Sequence, residues 1–137
     1  MIEVSDRLLV EIAARAREDS PNEICGWLAG KGEKARKVYP VPNMAEDDRQ
    51  TRFEMEPEAQ LAAMREIRDL GLDLVGTYHS HPRSSAYPSE KDGELALYPD
   101  LAHLIVSLAG DEPEFRCWRI TEKSVVELEV ERSEGLV

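Results

Sequence analysis

Residues 73–92 read DLVGTYHSHPRSSAYPSEKD. The opening of this stretch is mostly apolar and reads as a strand over 73–80, followed by a loop rich in Pro and Ser over 82–88. Ser89 then starts a helix that runs through about Leu97. Successive strand side chains point to opposite faces, so His79 and His81 project from the same face. Two imidazoles on one rigid element can supply two metal ligands. Zinc takes His and carboxylate ligands tetrahedrally, and its catalytic sites leave one position to water. A third ligand is needed, and Asp92 is the natural candidate. It lies one turn into the helix, after a loop long enough to fold back over the strand end. A plainer reading covers the same residues. Two histidines at a strand end can be ordinary polar residues, and Ser89-Glu90-Lys91-Asp92 is an S-x-x-D capping pattern. Cap and site coexist only if one face of the pair stays free.

Upstream, Ser5 is placed to cap a first helix running to about Asp19, with Leu8, Ile12, Ala13 and Ala16 on one face. Ser20-Pro21-Asn22 stops it. Residues 24–30 read as a buried strand, and residues 35–42 as an edge-like one, because two prolines would interrupt a central strand. Residues 43–50, with the acidic run Glu46-Asp47-Asp48, read as a solvated loop, and 51–55 as a further short strand. Pro57 suits the first turn of a second helix whose apolar face is Ala59, Ala63, Ile67 and Leu70, capped by Gly71. Downstream, Leu101–Leu108, Glu114–Ile120 and Ser124–Val130 read as three more strands. The expected fold class is α/β, one mixed central sheet with flanking helices, in a single domain over 1–137.

The composition limits the functions available. The chain has 137 residues, 42% of them hydrophobic, which suffices for one core without staples. Its net charge of −11 makes it a poor partner for nucleic acid or an anionic membrane surface. No apolar run approaches a membrane span and the opening residues do not resemble a signal peptide, so the expected location is cytoplasmic. Two cysteines, Cys25 and Cys117, cannot build an all-thiolate zinc site. They read as free buried thiols, with a bridge as the alternative. Cys25 reads as a small packing residue rather than a nucleophile. Trp27, Trp118 and Tyr78 read as core, and His103 as a satisfied core or edge histidine rather than a ligand.

The spacing His79-x-His81, seven residues, Ser89, two residues, Asp92 resembles the JAMM motif of the MPN+ metallopeptidases. The run HSHP, the small residue Gly26 and the position of Glu23 in Glu23-Ile24-Cys25-Gly26 fit as well. The resemblance covers most of the chain and implies the MPN (JAMM) fold, a relative of the cytidine-deaminase fold. It implies that His79, His81 and Asp92 hold one Zn2+ per chain, that Glu23 serves as general base, and that Ser89 donates to an oxyanion. Those roles agree with the chemistry of zinc-assisted hydrolysis.

The same resemblance implies hydrolysis of the amide bond after the C-terminal Gly-Gly of a ubiquitin-like or sulfur-carrier protein, with release of a protein or an attached cysteine. Segments 43–53 and 82–100 flank the expected groove and are short, unlike those of elaborated linkage-type deubiquitinases. A non-catalytic MPN scaffold is the alternative from another class; such domains usually lack part of the ligand set, which is whole here. A zinc deaminase would need a P-C-x-x-C element that the chain lacks. MPN domains often pair, so a homodimer is also an expectation.

Overall fold

The computed structural model describes residues 1–133, apart from the side chains at 93 and 94. Residues 134–137, the end of the expected single domain, lie outside the described residues. In chain order the elements are β1 (Ile2–Ser5), α1 (Asp6–Asp19), β2 (Cys25–Lys31), β3 (Lys34–Val41), α2 (Pro57–Asp69), β4 (Asp73–His81), a 3₁₀ helix (Glu90–Leu97), β5 (Ala102–Ser107), β6 (Glu114–Ile120), β7 (Val125–Leu128) and β8 (Val130–Ser133).

The strands form one mixed sheet in the order β7-β6-β5-β4-β2-β3-β1-β8. β7 and β8 stand at opposite ends of that order, yet only Glu129 separates them in the chain. The sheet therefore curls until its edges come together. α1 fills the inside of the curl: Leu9, Ile12 and Ala16 cluster with Ile2, Val4, Leu28, Leu104, Val106 and Cys117. Full burial of a Leu or Ile side chain contributes about 1.5–3 kcal/mol, so this helix is a main anchor of the fold. Ser5 caps it by accepting from the Leu8 N–H at 3.2 Å.

The other sheet face carries α2 and the 3₁₀ helix. Ile67 of α2 packs with Trp27, Ala29, Tyr39 and Val41. Leu95 of the 3₁₀ helix packs with Ala86, Ile105, Trp118 and Ile120. β4 and β5 run parallel, so the segment joining them must cross a sheet face. That crossover carries Ser89 and Asp92 back over the end of β4.

Several sequence expectations need correction. β1 went unread, because four residues expose only two inward positions, Ile2 and Val4, to a pattern argument. β3 is not an edge strand: it lies between β2 and β1. β1 pairs only with Lys34 and Ala35, however, so Pro40 sits where β3 has no second neighbour and no ladder bond is lost. Residues 51–55 form no strand, only a bridge between Asn43 and Met55. The Asn43 side chain takes the Arg52 carbonyl and the Glu54 N–H that a ladder would use. The third helix is 3₁₀ rather than α. The expected strand over 124–130 divides at Glu129 between the two sheet edges. Leu70 follows the last turn of α2 and is exposed; Gly71, at φ +70°, takes up the cap as expected.

Candidate metal centre

Strand alternation puts Thr77, His79 and His81 of β4 on the α2 side of the sheet, while Tyr78 points into the α1 cluster. The crossover then delivers Asp92 onto the two histidines. His79 Nε2 lies 3.2 Å and His81 Nε2 3.1 Å from Asp92 Oδ2, and the two Nε2 atoms are 3.1 Å apart. All three residues are buried.

The orientation of each ligand atom has a cause. His81 Nδ1 is 2.7 Å from the Ser85 carbonyl oxygen. A carbonyl only accepts, so Nδ1 carries the proton and Nε2 is turned toward Asp92. The loop supplying that carbonyl is itself pinned: the Ser107 hydroxyl donates to Ser84 O at 2.6 Å, and Trp118 Nε1 donates to Ala86 O at 2.8 Å. The His79 ring is held by stacking with Phe53, centroids 4.6 Å apart. The Ser89 backbone N–H donates to Asp92 Oδ2 at 2.8 Å, so the cap and the cluster share one carboxylate.

The electrostatics favour positive charge here. Burial acts against ionised Asp92, yet the two histidines and the Ser89 N–H hold its carboxyl well below the usual range. Burial also acts against a charged His81 ring, but Asp92 and the Ser85 carbonyl outweigh it and raise the pKa. A proton or a metal cation meets that demand. The donor set, two imidazole nitrogens and a carboxylate oxygen, suits zinc. Tetrahedral zinc with bonds of about 2.0–2.1 Å places its ligands about 3.3 Å apart, close to the separations observed. Asp92 Oδ1 and Glu23 Oε1 are buried without a hydrogen-bond partner among the described residues. Buried polar atoms of this kind point to a further group at the site. The residues present therefore fit a metal.

Glu23 ends the turn after α1 and is 2% exposed. Burial pushes its carboxyl up from 4.5 to about 8, with His81 pulling it back and Asp92 pushing it up. Its backbone is held at both ends: its N–H donates to Arg49 O at 2.8 Å, and its carbonyl accepts from Asn43 Nδ2 at 3.0 Å. Ser89 is exposed and borders the same cleft as Glu23 and His81.

The sequence model for prokaryotic homologs of the JAB domain matches residues 5–121. The chain belongs to the prokaryotic JAB family. It is 40% identical to a desampylase of Haloferax volcanii over 77% of this chain and 76% of the relative. It is 34% identical to a CysO-cysteine peptidase of Mycobacterium tuberculosis over 88% of this chain and 83% of the relative. Its structure resembles that of a JAB1/MPN domain protein from Archaeoglobus fulgidus, with TM-score 0.67, 25% identity and 96% and 97% of the two chains covered. The expected α/β MPN fold is therefore the fold observed.

In this JAB domain the structure brings together His79, His81 and Asp92, with Glu23 and Ser89 on the adjoining cleft. It keeps His103 apart as a core residue: Thr77 Oγ1 lies 2.7 Å from Nδ1, and Nε2 donates to Tyr98 O at 3.1 Å. Cys25 and Cys117 are free and buried, and burial pushes each thiol up to about 12. Cys25 is therefore no nucleophile. Sequence reasoning missed Phe53 and Asn43. It also missed Lys91, whose ammonium joins Asp48 Oδ2 at 3.0 Å and Thr51 Oγ1 at 2.7 Å. Asp48 of the acidic run is thus a clasp between the 43–55 loop and the 3₁₀ helix, not simply solvated. No helix among the described residues is long and apolar enough to cross a membrane.

Proposed function

We propose that this chain, as one domain over 1–137, is a JAMM-type zinc metallo(iso)peptidase. Its reaction is hydrolysis of the (iso)peptide bond after the C-terminal Gly-Gly of a ubiquitin-like or sulfur-carrier protein. The observation that carries the reading is the buried convergence of His79 Nε2, His81 Nε2 and Asp92 Oδ2, beside a buried Glu23 whose Oε1 has no partner among the described residues. The names of the desampylase and the CysO-cysteine peptidase support the reaction class.

His79, His81 and Asp92 would hold zinc, which supplies Lewis acidity toward a carbonyl and lowers the pKa of water. A cation held on the cluster would favour the carboxylate form of Glu23 over the neutral form that burial favours; that carboxylate accepts the proton of the attacking water and returns it to the leaving nitrogen as the acyl C–N bond breaks. The Ser89 hydroxyl donates to the oxyanion; loss of such a donor costs roughly 3–4 kcal/mol of barrier. Glycines in the substrate tail let its backbone approach this buried cluster, and an extended tail can be held by strand-like pairing.

The test is incubation of zinc-loaded protein with ubiquitin-like conjugates, the cleaved bond being identified by mass spectrometry. Cleavage after Gly-Gly is expected, with Glu23→Gln losing most of the rate while keeping zinc. A Glu23→Gln protein as fast as the parent would overturn the base assignment. Light scattering during the same preparation reads whether two copies pair.

A further inference from the structure

On the α1 side of the sheet lies a cavity of about 350 Å³ that includes none of His79, His81 and Asp92. Tyr78 and Cys25, each 1% exposed, form its floor. Arg15, Glu18 and Asp19, from the last turns of α1, stand exposed at its mouth. Ile24, Val41 and two prolines give it apolar wall. Apolar walls with a few polar groups, at this volume, are the make-up of a small-molecule site.

The floor carries an unmet hydrogen-bonding group. Tyr78 Oη is buried and has no partner among the described residues. Gly26 pairs with Tyr78 across β2 and β4, and a Cβ on Gly26 would lie 2.6 Å from Cζ, the ring carbon that bears the hydroxyl. The glycine therefore lets that end of the ring lie against β2, beside Cys25. The thiol does not satisfy the hydroxyl, because Sγ donates to Val41 O at 3.3 Å. A buried phenol without a partner is uncommon and points to a group that comes to it. Burial pushes its pKa up, Cys25 adds to the rise, and Arg15 opposes it. The guanidinium is thus within electrostatic reach of the hydroxyl.

The remaining groups set the charge pattern of the ligand. Arg15 Nε is paired with Glu11 at 3.2 Å, and its terminal nitrogens have no partner among the described residues. Together with the Tyr78 O–H they are donors that suit a carboxylate. Glu18 and Asp19 make no ion pair among the described residues and suit an ammonium. A ligand with a carboxylate alone would face those two acids unbalanced. A ligand with an amine alone would leave the phenol proton unmatched. We infer that this cavity binds a free, zwitterionic α-amino acid with a small apolar side chain. Its carboxylate meets Tyr78 and Arg15, its ammonium faces Glu18 and Asp19, and its side chain packs on Ile24 and Val41. The site is distinct from the metal centre, although Glu23 borders both, and it stands without the peptidase reading.

Calorimetry on the zinc-loaded protein compares L-valine with isovalerate and isobutylamine, each of which keeps the side chain and lacks one charged group. Valine is expected to bind at one site, about tenfold tighter than either. Tyr78→Phe is expected to weaken valine about tenfold and leave isobutylamine unchanged. Arg15→Gln, on the surface, should do the same. Glu18→Gln combined with Asp19→Asn should weaken valine without weakening isovalerate. Amino acids also chelate zinc, so His81→Ala is the control for the metal centre and is expected to bind valine as the parent does. No saturable valine binding, equal affinities for the three probes, or valine binding that neither Tyr78→Phe nor Arg15→Gln weakens overturns the inference. So does binding that His81→Ala abolishes, which would put valine on the metal cluster. Each of these outcomes leaves the peptidase reading standing.

Discussion

The side-chain amide of Asn43 makes four hydrogen bonds. It donates to the carbonyls of Glu23 and Arg52 at 3.0 and 3.1 Å, and accepts from the N–H groups of Ala45 and Glu54 at 3.0 Å each. It thus ties the loop that carries Phe53 to the residue assigned as base. Replacing it with Ala strands several partly buried backbone groups, at roughly 1–3 kcal/mol. The expected result for Asn43→Ala is a lower denaturant midpoint together with a lower kcat on a Gly-Gly conjugate. A stability loss without any change in kcat would mean that Glu23 does not depend on this tether. At this scale the sequence was legible where chemistry and spacing coincide: His79, His81, Ser89 and Asp92 lie within fourteen consecutive positions of a strand, loop and helix. Asn43, Phe53 and the Lys91–Asp48 clasp left no trace. The contacts of Asn43 with Glu23 and of Lys91 with Asp48 join residues about twenty and forty positions apart, and no local periodicity records such a contact.

Between elements, the 3₁₀ helix that brings Asp92 to the cluster is secured at its far end by His103 of β5, whose Nε2–H donates to Tyr98 O. That ring is buried and neutral: burial lowers its pKa from 6.5 to about 4. The unfolded chain binds a proton there below pH 6.5 and the folded one does not, so stability is full above 6.5 and is lost as the pH falls toward 4, by about 3 kcal/mol for the whole span. His103→Gln should flatten this part of the pH–stability curve measured by urea denaturation. An acid slope equal to the parent's would contradict the assignment. Helices and long strands were readable from amphipathic spacing, as with Leu8, Ile12 and Ala16 of α1. The misread elements, β1, β3 and the β7–β8 break, are those whose place is set by neighbours far along the chain. Pro40, which has no N–H to donate, argued correctly against a second ladder partner at its own position, but the start of β3 has one.

At the scale of the whole molecule, the curl of the sheet puts α1 inside and leaves the opposite face to α2, the 3₁₀ helix and the cluster. Nothing in composition or periodicity announces the closure, because it depends on one residue, Glu129, carrying the chain from one sheet edge to the other. The mixed α/β class was legible all the same, since buried strands and amphipathic helices alternate along the chain. The net charge of −11 stays a surface property. The central claim is that this fold exists to hold one catalytic zinc on His79, His81 and Asp92, and native mass spectrometry after zinc loading tests it most directly. One zinc per chain is predicted for the parent and for Glu23→Gln, and none for His81→Ala. A parent without zinc, or a His81→Ala protein with a full equivalent, would contradict it.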